Sequence, residues 1–222
     1  MNRACGTEKK LNGILSRQRL LSILKEVFRK TIHLCSATIP FLASKNKTLI
    51  IVLLAVALVF YSVSEILRLS GKEVFIVSAI TEAAARKRDE NKFVLGPVTL
   101  VIGIILSLLL WHPVASSVGI YALAFGDGFA SLAGKLFGRV KIPLAQGKTA
   151  AGSLTCFAAI FISCWFTLFL SPSVTAGLDI SLIALRIAAL GMFIEVLPLK
   201  DLDNVFIPVI LGGATQFQLF SM

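Results

Sequence analysis

Charged residues are scarce in this sequence. Only 15% of its 222 residues are Asp, Glu, Lys or Arg, whereas 56% are hydrophobic and the mean hydropathy is +0.86. No charge occurs from Phe93 to Gly126 or from Thr149 to Leu178, and each stretch exceeds the roughly 20 apolar residues that one membrane crossing needs. The composition excludes an ordinary soluble globule and a disordered chain, and it predicts an all-α, polytopic membrane protein.

Cysteine is also rare, with four in the chain and no paired spacing such as CxxC. Neither a zinc site nor a disulfide framework is therefore indicated. Cys35, Cys156 and Cys164 fall in apolar stretches, where we expect them to be buried. The first 30 residues are polar and basic without an apolar core, so we expect neither a cleavable signal peptide nor a lipoprotein signal.

Several common catalytic signatures are missing. The sequence has no Walker loop of the form GxxxxGKS or GxxxxGKT, no HExxH and no GxSxG. P-loop nucleotide binding, metalloprotease chemistry and serine-hydrolase chemistry therefore have no support.

The positions of Lys and Arg predict the topology, because short basic loops stay on the cytoplasmic side of a membrane. Basic residues concentrate in segments 1–30, 68–92 and 132–148. We predict a basic cytoplasmic tail (1–27), one integral membrane domain (28–222) and an external C-terminus. Seven spans are predicted near 31–44, 49–68, 93–111, 115–131, 151–171, 180–199 and 204–220. Basic residues in cytoplasmic segments account for the net charge of +10, so no nucleic-acid partner is expected.

One further helix is predicted on the cytoplasmic surface, over residues 72–91. Val74, Val77, Ile80 and Ala84 recur there at helical spacing. A charged cluster closes the segment, which favours a helix lying on the membrane over one that crosses it.

Polar residues near the ends of the predicted spans carry functional information, because charges inside a membrane cost roughly 2.5–3.5 kcal/mol each on insertion scales. In the predicted topology these residues share the cytoplasmic boundary, where they indicate one polar site. They are Arg29, Lys30 and His33; Glu65 and Arg68; Gly126, Asp127 and Gly128; Gly134, Lys135, Gly138 and Arg139; Gly147, Lys148, Thr149, Gly152 and Ser153; and Glu195, Asp201, Asp203 and Asn204.

Phosphate chemistry suits this set of residues. The glycines allow backbone N–H groups to approach an anion, and the helix predicted to begin at Gly147 to Ser153 offers free N–H groups with a positive dipole end. Lys135, Arg139 and Lys148 can neutralise a polyphosphate. Carboxylates such as those of Asp127, Asp201 and Asp203 are the hard oxygen ligands that Mg²⁺ prefers.

Each of these features also has a structural interpretation. Loop Lys and Arg are usually topogenic, glycines in spans often serve helix packing, and Arg68 can contact anionic lipid. His33 alone is more typical of an interfacial polar residue than of a catalyst. Asp127 lies between two glycines after a long uncharged run, which favours a functional carboxylate.

At these positions the chain resembles the CTP-dependent lipid-alcohol kinases, the family of dolichol kinase, phytol kinase and the CTP-using diacylglycerol kinase. The resemblance covers most of the chain, from about Phe28 to Pro208. It rests on Arg29-Lys30-x-x-His33; Glu65-x-x-Arg68; Arg86 to Glu90; Gly126-Asp127-Gly128 followed by Gly134-Lys135 and Gly138-Arg139; Lys148-Thr149-x-x-Gly152-Ser153; and Glu195 with Asp203-Asn204 and Pro208.

The resemblance implies transfer of the γ-phosphoryl group from CTP to the hydroxyl of a membrane lipid, with Mg²⁺ as cofactor. Asp127, His33 and Lys135 are then the catalytic candidates. The metal candidates are Asp127, Asp203, Asp201 and Glu195. The candidates for nucleotide binding are Gly126, Gly128, Gly134, Arg139, Lys148, Thr149, Gly152, Ser153, Asn204, Arg29, Lys30, Glu65 and Arg68. The acceptor stays open between a polyprenol, a phytol-like alcohol and diacylglycerol, and so does the oligomeric state.

One departure and two alternatives accompany this hypothesis. The family usually has a carboxylate where this chain has Ala151, so Asp201 would have to substitute if that carboxylate holds metal. Lys200-Asp201 followed by Pro208 is distantly similar to phosphatidate cytidylyltransferases, which act on a lipid phosphate. A non-enzymatic transporter or scaffold is the other alternative. We expect a bacterial inner-membrane protein with a cytoplasmic active site.

Overall fold

A computed structural model describes residues 20, 23–72, 92–143, 145, 147–171 and 179–220. Helix α1 covers 23–35 and is followed by a 3-10 turn, Ser36–Thr38. The remaining helices are α2 (Ile39–Lys45), α3 (Lys47–Leu69), α4 (Gly96–Leu110), α5 (Pro113–Tyr121), α6 (Gly128–Phe137), α7 (Ala150–Phe169), α8 (Ile180–Val196) and α9 (Asp203–Phe220). A π-helical segment, Ala122–Asp127, joins α5 to α6. No strand occurs within the described ranges, so the all-α prediction is confirmed.

Local chemistry explains where these helices begin. The Asn46 side chain accepts a hydrogen bond from the backbone N–H of Leu49 at 3.0 Å and so caps α3. Thr149 and Asp179 cap α7 and α8 in the same way. A proline stands in the first turn of α2, α4 and α5, where its missing N–H costs nothing because that group has no partner inside the helix.

Most predicted spans correspond to helices, with two exceptions. The span predicted at 31–44 was wrong as a single helix, because α1 begins earlier and the chain is interrupted at Ser36–Thr38 before α2. The span predicted at 115–131 continues as helix to Phe137, so the first part of the loop predicted at 132–148 is also helical. The surface helix predicted over 72–91 and most of the basic tail lie outside the described residues.

The core forms where α7 packs against α6 and α8, and where α9 packs against α4 and α5. Glycines allow the closest of these approaches. A Cβ added at Gly103 would lie 2.2 Å from the backbone oxygen of Asn204, and one at Gly119 would lie 2.2 Å from that of Pro208. Helix α9 therefore contacts its two neighbours backbone to backbone near Pro208, a residue that α9 contains within its length.

The outside of the bundle is strongly apolar. Along α3 one face exposes large aliphatic and aromatic side chains to more than half of their area, among them Val56, Val59 and Phe60. Two helices, α3 and α7, are long and apolar enough to cross a membrane by length and composition, and α4 is a shorter apolar helix. Cys156 and Cys164 are buried, but the prediction was wrong for Cys35, which is exposed on α1.

Candidate active site

Two clefts adjoin at one end of the bundle, where α4, α7 and α9 begin and α8 ends. The larger has a volume of about 380 Å³ and the smaller about 40 Å³. Arg29, Asp127 and Asp203 line both of them. Because three charged residues are shared, the two clefts form one composite site.

Asp127 lies where the two clefts meet, at the end of the π-helical segment. Its carboxylate is only 8% exposed and forms an ion pair with Lys30, which is itself 1% exposed. The same oxygen, Oδ2, lies 3.2 Å from Nδ1 of His33. Single-turn π-helices occur frequently at functional sites, and here the wider turn directly precedes the buried carboxylate. Sequence analysis assigned Lys30 to nucleotide binding, whereas in the structure it contacts Asp127.

The larger cleft is lined by equal numbers of basic and acidic side chains. The bases are Arg29, Lys135, Lys148 and Lys200, and the acids are Glu26, Asp127, Glu195 and Asp203. Four cations around one opening provide the charge that a polyphosphate requires.

Sequence analysis missed Glu26 and did not name Lys200 as a site residue. Glu26 pairs with Arg29, one helical turn away, and lies 3.0 Å from Nζ of Lys135. Burial alone would raise the pKa of Glu26, but the charges of Arg29 and Lys30 outweigh it and hold that pKa below 4.5. The sequence could have indicated Glu26 through its spacing from Arg29, because residues three apart lie on one face of a helix.

Lys148 and Glu195 form a second ion pair in the larger cleft. Nζ of Lys148 donates to the backbone oxygen of Glu195 and lies 3.3 Å from Oε1. The Ser153 hydroxyl donates to Oε2 of Glu195 at 3.0 Å. Glu195, predicted as a metal ligand, is thus held by a lysine and a serine that were both predicted to bind nucleotide.

The smaller cleft is lined by both polar and apolar residues. His33, Asp127, Asp201, Asp203 and Asn204 contribute the polar groups. Burial, reinforced by the negative charge of Asp127, raises the pKa of Asp203 to about 7. Asn204 donates to the backbone oxygen of Gly96 at 3.3 Å and to the hydroxyl of Thr99 at 3.1 Å, and these bonds join α9 to α4.

The predicted metal ligands are not gathered into one preformed cluster. Within the described part of the chain, no group of three or more His, Cys, Asp or Glu side chains is arranged to hold a metal ion. Asp127 and Asp203 nevertheless line both clefts, and Mg²⁺ is usually bound by one or two carboxylates together with substrate phosphates. These two residues fit a cation that arrives with a nucleotide.

Three other predicted site residues lie away from the clefts. Glu65 and Arg68 form a bidentate pair at 2.7 and 2.9 Å, and Oε1 of Glu65 accepts a hydrogen bond from the backbone N–H of Val94 at 2.9 Å. This pair fixes the chain that leads into α4. Arg139 is exposed and is not among the described residues that line either cleft.

Most of the predicted phosphate-binding glycines have packing partners. A Cβ at Gly126 would approach Ile160 to 2.7 Å, and one at Gly152 would approach the backbone oxygen of Ala130 to 2.9 Å. Similar contacts occur at three more positions: Gly128 with Leu34, and Gly134 and Gly138 with Thr149. Gly147 differs, because its φ is +89°, nothing lies within 4 Å of an added Cβ, and it lines the larger cleft.

Plant proteins named as phytol kinases or farnesol kinase resemble this chain at modest identity. Probable phytol kinase 1, chloroplastic, of Oryza sativa subsp. japonica is 30% identical over 64% of this chain and 46% of the relative. Probable phytol kinase, chloroplastic, of Zea mays is 27% identical over 88% and 67%, respectively. Farnesol kinase, chloroplastic, of Arabidopsis thaliana is 26% identical over 68% and 52%.

The matched region thus spans only about half of the rice and Arabidopsis relatives, at 46% and 52% of their lengths. No family model matches the chain, and no solved structure matches it. The resemblance to lipid-alcohol kinases, first indicated by the motifs around Asp127, is confirmed by these relatives: at modest identity, the chain is similar to phytol kinase and farnesol kinase.

Proposed function

We propose that the protein transfers the γ-phosphoryl group of CTP, bound with Mg²⁺, to the hydroxyl of a membrane lipid alcohol. The observation that carries the proposal is the pair of clefts that share Asp127, Asp203 and Arg29. The larger cleft, with four cations in its lining, suits a nucleoside triphosphate, and the smaller one suits the end of an acceptor. The choice of CTP rests on the family resemblance alone.

The cations of the larger cleft stabilise the charge on the phosphates. Lys135 and Arg29 reach them after releasing Glu26, while Lys148, which pairs with Glu195, and Lys200 also line the cleft. Such preorganised charge is usually the largest contribution to catalysis of phosphoryl transfer. Asp127 and Asp203 would hold Mg²⁺, which would supply positive charge to neutralise part of the charge on the phosphates.

Asp127 positions the acceptor and takes its proton. The lipid oxygen forms a bond to the γ-phosphorus as the bond to the β,γ-bridging oxygen breaks, and the hydroxyl proton moves to the carboxylate. CDP leaves with the electron pair of the broken bond. Lys30 holds the carboxylate in place, and His33 lies close enough to accept the proton instead.

A membrane location fits this reaction and the apolar exterior. The exposed aliphatic face of α3 would contact lipid, and the composite site would lie at the bilayer surface, as the polytopic topology predicts. The relatives are described as chloroplastic, which gives no support to the predicted bacterial inner membrane. Their names, phytol kinase and farnesol kinase, favour an isoprenoid alcohol as acceptor.

Transfer of label from CTP to lipid tests the proposal. Purified protein in detergent is incubated with phytol, phosphatidate, Mg²⁺ and CTP carrying either a γ-phosphate label or a cytosine label. The kinase transfers only the γ-label into lipid. Cytidylyl transfer to a lipid phosphate would instead incorporate the cytosine label and release pyrophosphate. A transporter or scaffold would give no nucleotide turnover, and either result would refute the proposal.

A further inference from the structure

The outer face of α3 carries a regular repeat of large aliphatic side chains. They recur at alternating spacings of three and four residues, and each is more than half exposed: Leu49, Val52, Val56, Val59, Val63 and Ile66. The repeat extends along most of the helix, which covers Lys47–Leu69. Alternation of three and four is the heptad spacing, which is typical of a helix that packs along a second helix.

This repeat faces away from the bundle. Within the chain α3 packs against α2 and α4. Ile50, Ile51 and Leu54 contact the core from the inner face of α3, and Ser64 and Glu65 are buried further along the same helix. The charged residues of α3 are not part of the repeat, so its outer face presents a continuous apolar stripe.

The middle of the stripe forms a groove with a specific pattern. Two residues besides those of the repeat contribute to its lining, which consists of Val52, Ala55, Val56, Val59, Phe60 and Val63. These residues are two overlapping sets with the spacing i, i+3, i+4, i+7, one beginning at Val52 and the other at Val56. In knobs-into-holes packing, a side chain of one helix inserts among four residues of the facing helix, and this spacing encloses such a hole. The groove is therefore two adjacent holes.

We propose that this groove binds α3 of a second copy of the chain, so that the protein forms a two-fold symmetric dimer. The face is complementary to itself, because Val56 and Val59 act both as knobs and as walls of holes. Val56 of one copy fills the hole that begins at Val52 of the other, and Val59 fills the hole that begins at Val56. Such self-complementarity is what a two-fold interface requires.

The side chains of the groove suit a helix as its occupant. Apolar helices in a membrane associate through close packing, because lipid tails are as apolar as the helices themselves. Valine has one strongly preferred rotamer in a helix, so it loses little freedom when it packs. Ala55 is small and allows the backbone of a facing helix to approach. Among the described residues, those that line the two clefts lie outside α3, so this inference goes beyond the proposed kinase function.

Two alanines on α3 provide a matched test. Ala55 and Ala57 are both exposed, but only Ala55 lines the groove. We expect sedimentation equilibrium in detergent to give the wild type twice the mass of one chain. Ala55→Trp fills the first hole, so its dimer dissociation constant is expected to rise by about tenfold or more. Ala57→Trp adds the same side chain outside the groove and is expected to dimerise as the wild type does.

Cysteine cross-linking tests which residues meet. Because α3 is long and apolar enough to cross a membrane, two copies inserted in the same orientation align their α3 helices in parallel. Each residue of the stripe then faces its own equivalent, and the two residues at position 59 come within disulfide range. In a Cys5→Ser/Cys35→Ser background, oxidation of native membranes is expected to link Val59→Cys into a dimer but not Ala57→Cys.

Three results would overturn the inference. A wild type that is monomeric at every protein concentration would mean that lipid or another part of this chain covers the groove. Equal dissociation constants for Ala55→Trp and Ala57→Trp would assign the dimer to a different face. Cross-linking at position 57 without cross-linking at position 59 would do the same.

Discussion

Lys30 and Asp127 form a buried ion pair between residues 97 positions apart in the sequence. The pair joins α1 to the end of the π-helical segment, and Nδ1 of His33 lies 3.2 Å from the same carboxylate oxygen. Burying a carboxylate without a partner destabilises the folded protein, and the ion pair with Lys30 reduces this free-energy cost. Lys30 therefore allows a charged group at the centre of the site.

Substituting this pair separates a catalytic role from a structural one. Asp127→Asn is expected to lower turnover by about 10² or more, because it removes the charge that holds the metal or accepts the proton. It also leaves the Lys30 ammonium buried without its carboxylate, so stability is expected to fall by about 3–5 kcal/mol. Label transfer per folded molecule and a detergent-stability assay measure the two effects.

The double variant Lys30→Met/Asp127→Asn is the control for this experiment. Because both charges are removed together, it is expected to recover most of the stability but none of the turnover. If Asp127→Asn works at nearly the wild-type rate, or if the double variant regains activity, Asp127 has no catalytic role.

Lys135 and Arg139 provide a test of the larger cleft within four positions of the chain. Lys135 was predicted to be catalytic and Arg139 to bind nucleotide, but of these two residues only Lys135 lines the cleft. Lys135→Ala is expected to raise the KM for CTP by about tenfold or more, as expected for the loss of a charged hydrogen bond. Arg139→Ala is expected to leave it nearly unchanged, and equal effects in steady-state kinetics would contradict the assignment.

Glu26 holds Arg29 and Lys135 in the positions where phosphate oxygens would compete for them. Glu26→Gln keeps the shape of the side chain but removes its charge, so both cations become more available to a nucleotide. We expect the KM for CTP to fall by about two- to fivefold, the effect of one partly exposed ion pair. A rise in KM would mean that Glu26 orients these cations for the nucleotide rather than competing with it.

The lengths of the apolar helices were predictable from the sequence, whereas the pairing of polar residues between helices was not. Helices α3 and α7 follow directly from long apolar runs. The prediction failed at α1 because this helix carries Glu26, Lys30 and His33, which an apolar count treats as tail or boundary. Their partners are distant in sequence, so tertiary contacts stabilise a helix that local hydropathy does not indicate.

The same limit applies to the candidate site. The motifs named many of the polar residues that line the clefts, because polar groups beside apolar spans are rare enough to be informative, but they missed Glu26 and Lys200. They did not predict that Lys148 and Glu195 would pair with each other, nor that Gly134 would pack near Thr149. A pattern of residue types predicts which side chains belong to a site. The distances between those side chains depend on how α6, α7 and α8 pack.

The pKa of Asp203 makes stability depend on pH. Its value of about 7 in the folded protein lies above the ordinary 3.8, so the folded state binds the proton more tightly than the unfolded state. The stabilisation is complete below about pH 3.8 and is lost as pH rises through about 7. Asp203→Asn, which resembles the protonated form, is expected to remove this pH dependence in metal-free protein.

Thermal unfolding between pH 5 and 8 without Mg²⁺ measures this effect. The difference in Tm between Asp203→Asn and the wild type is expected to grow as pH rises, in favour of the variant. Asp201→Asn provides a comparison: the negative charge of Asp201 contributes to the raised pKa of Asp203, so this variant is expected to weaken the pH dependence without removing it. A pH profile of Tm that is the same in wild type and Asp203→Asn would exclude the elevated pKa.

The predicted topology can be tested from both faces of a membrane. Lys141 is exposed in the segment between α6 and α7, and Lys47 is exposed at the start of α3. We predict that a cysteine at position 141 is labelled by an impermeant maleimide only from the cytoplasmic side, and one at 47 only from the outside. Cys35 is exposed, so Cys35→Ser removes its background labelling. Three predicted spans separate the two probes, so labelling of both from the same side would contradict the predicted topology, on which a cytoplasmic CTP supply depends.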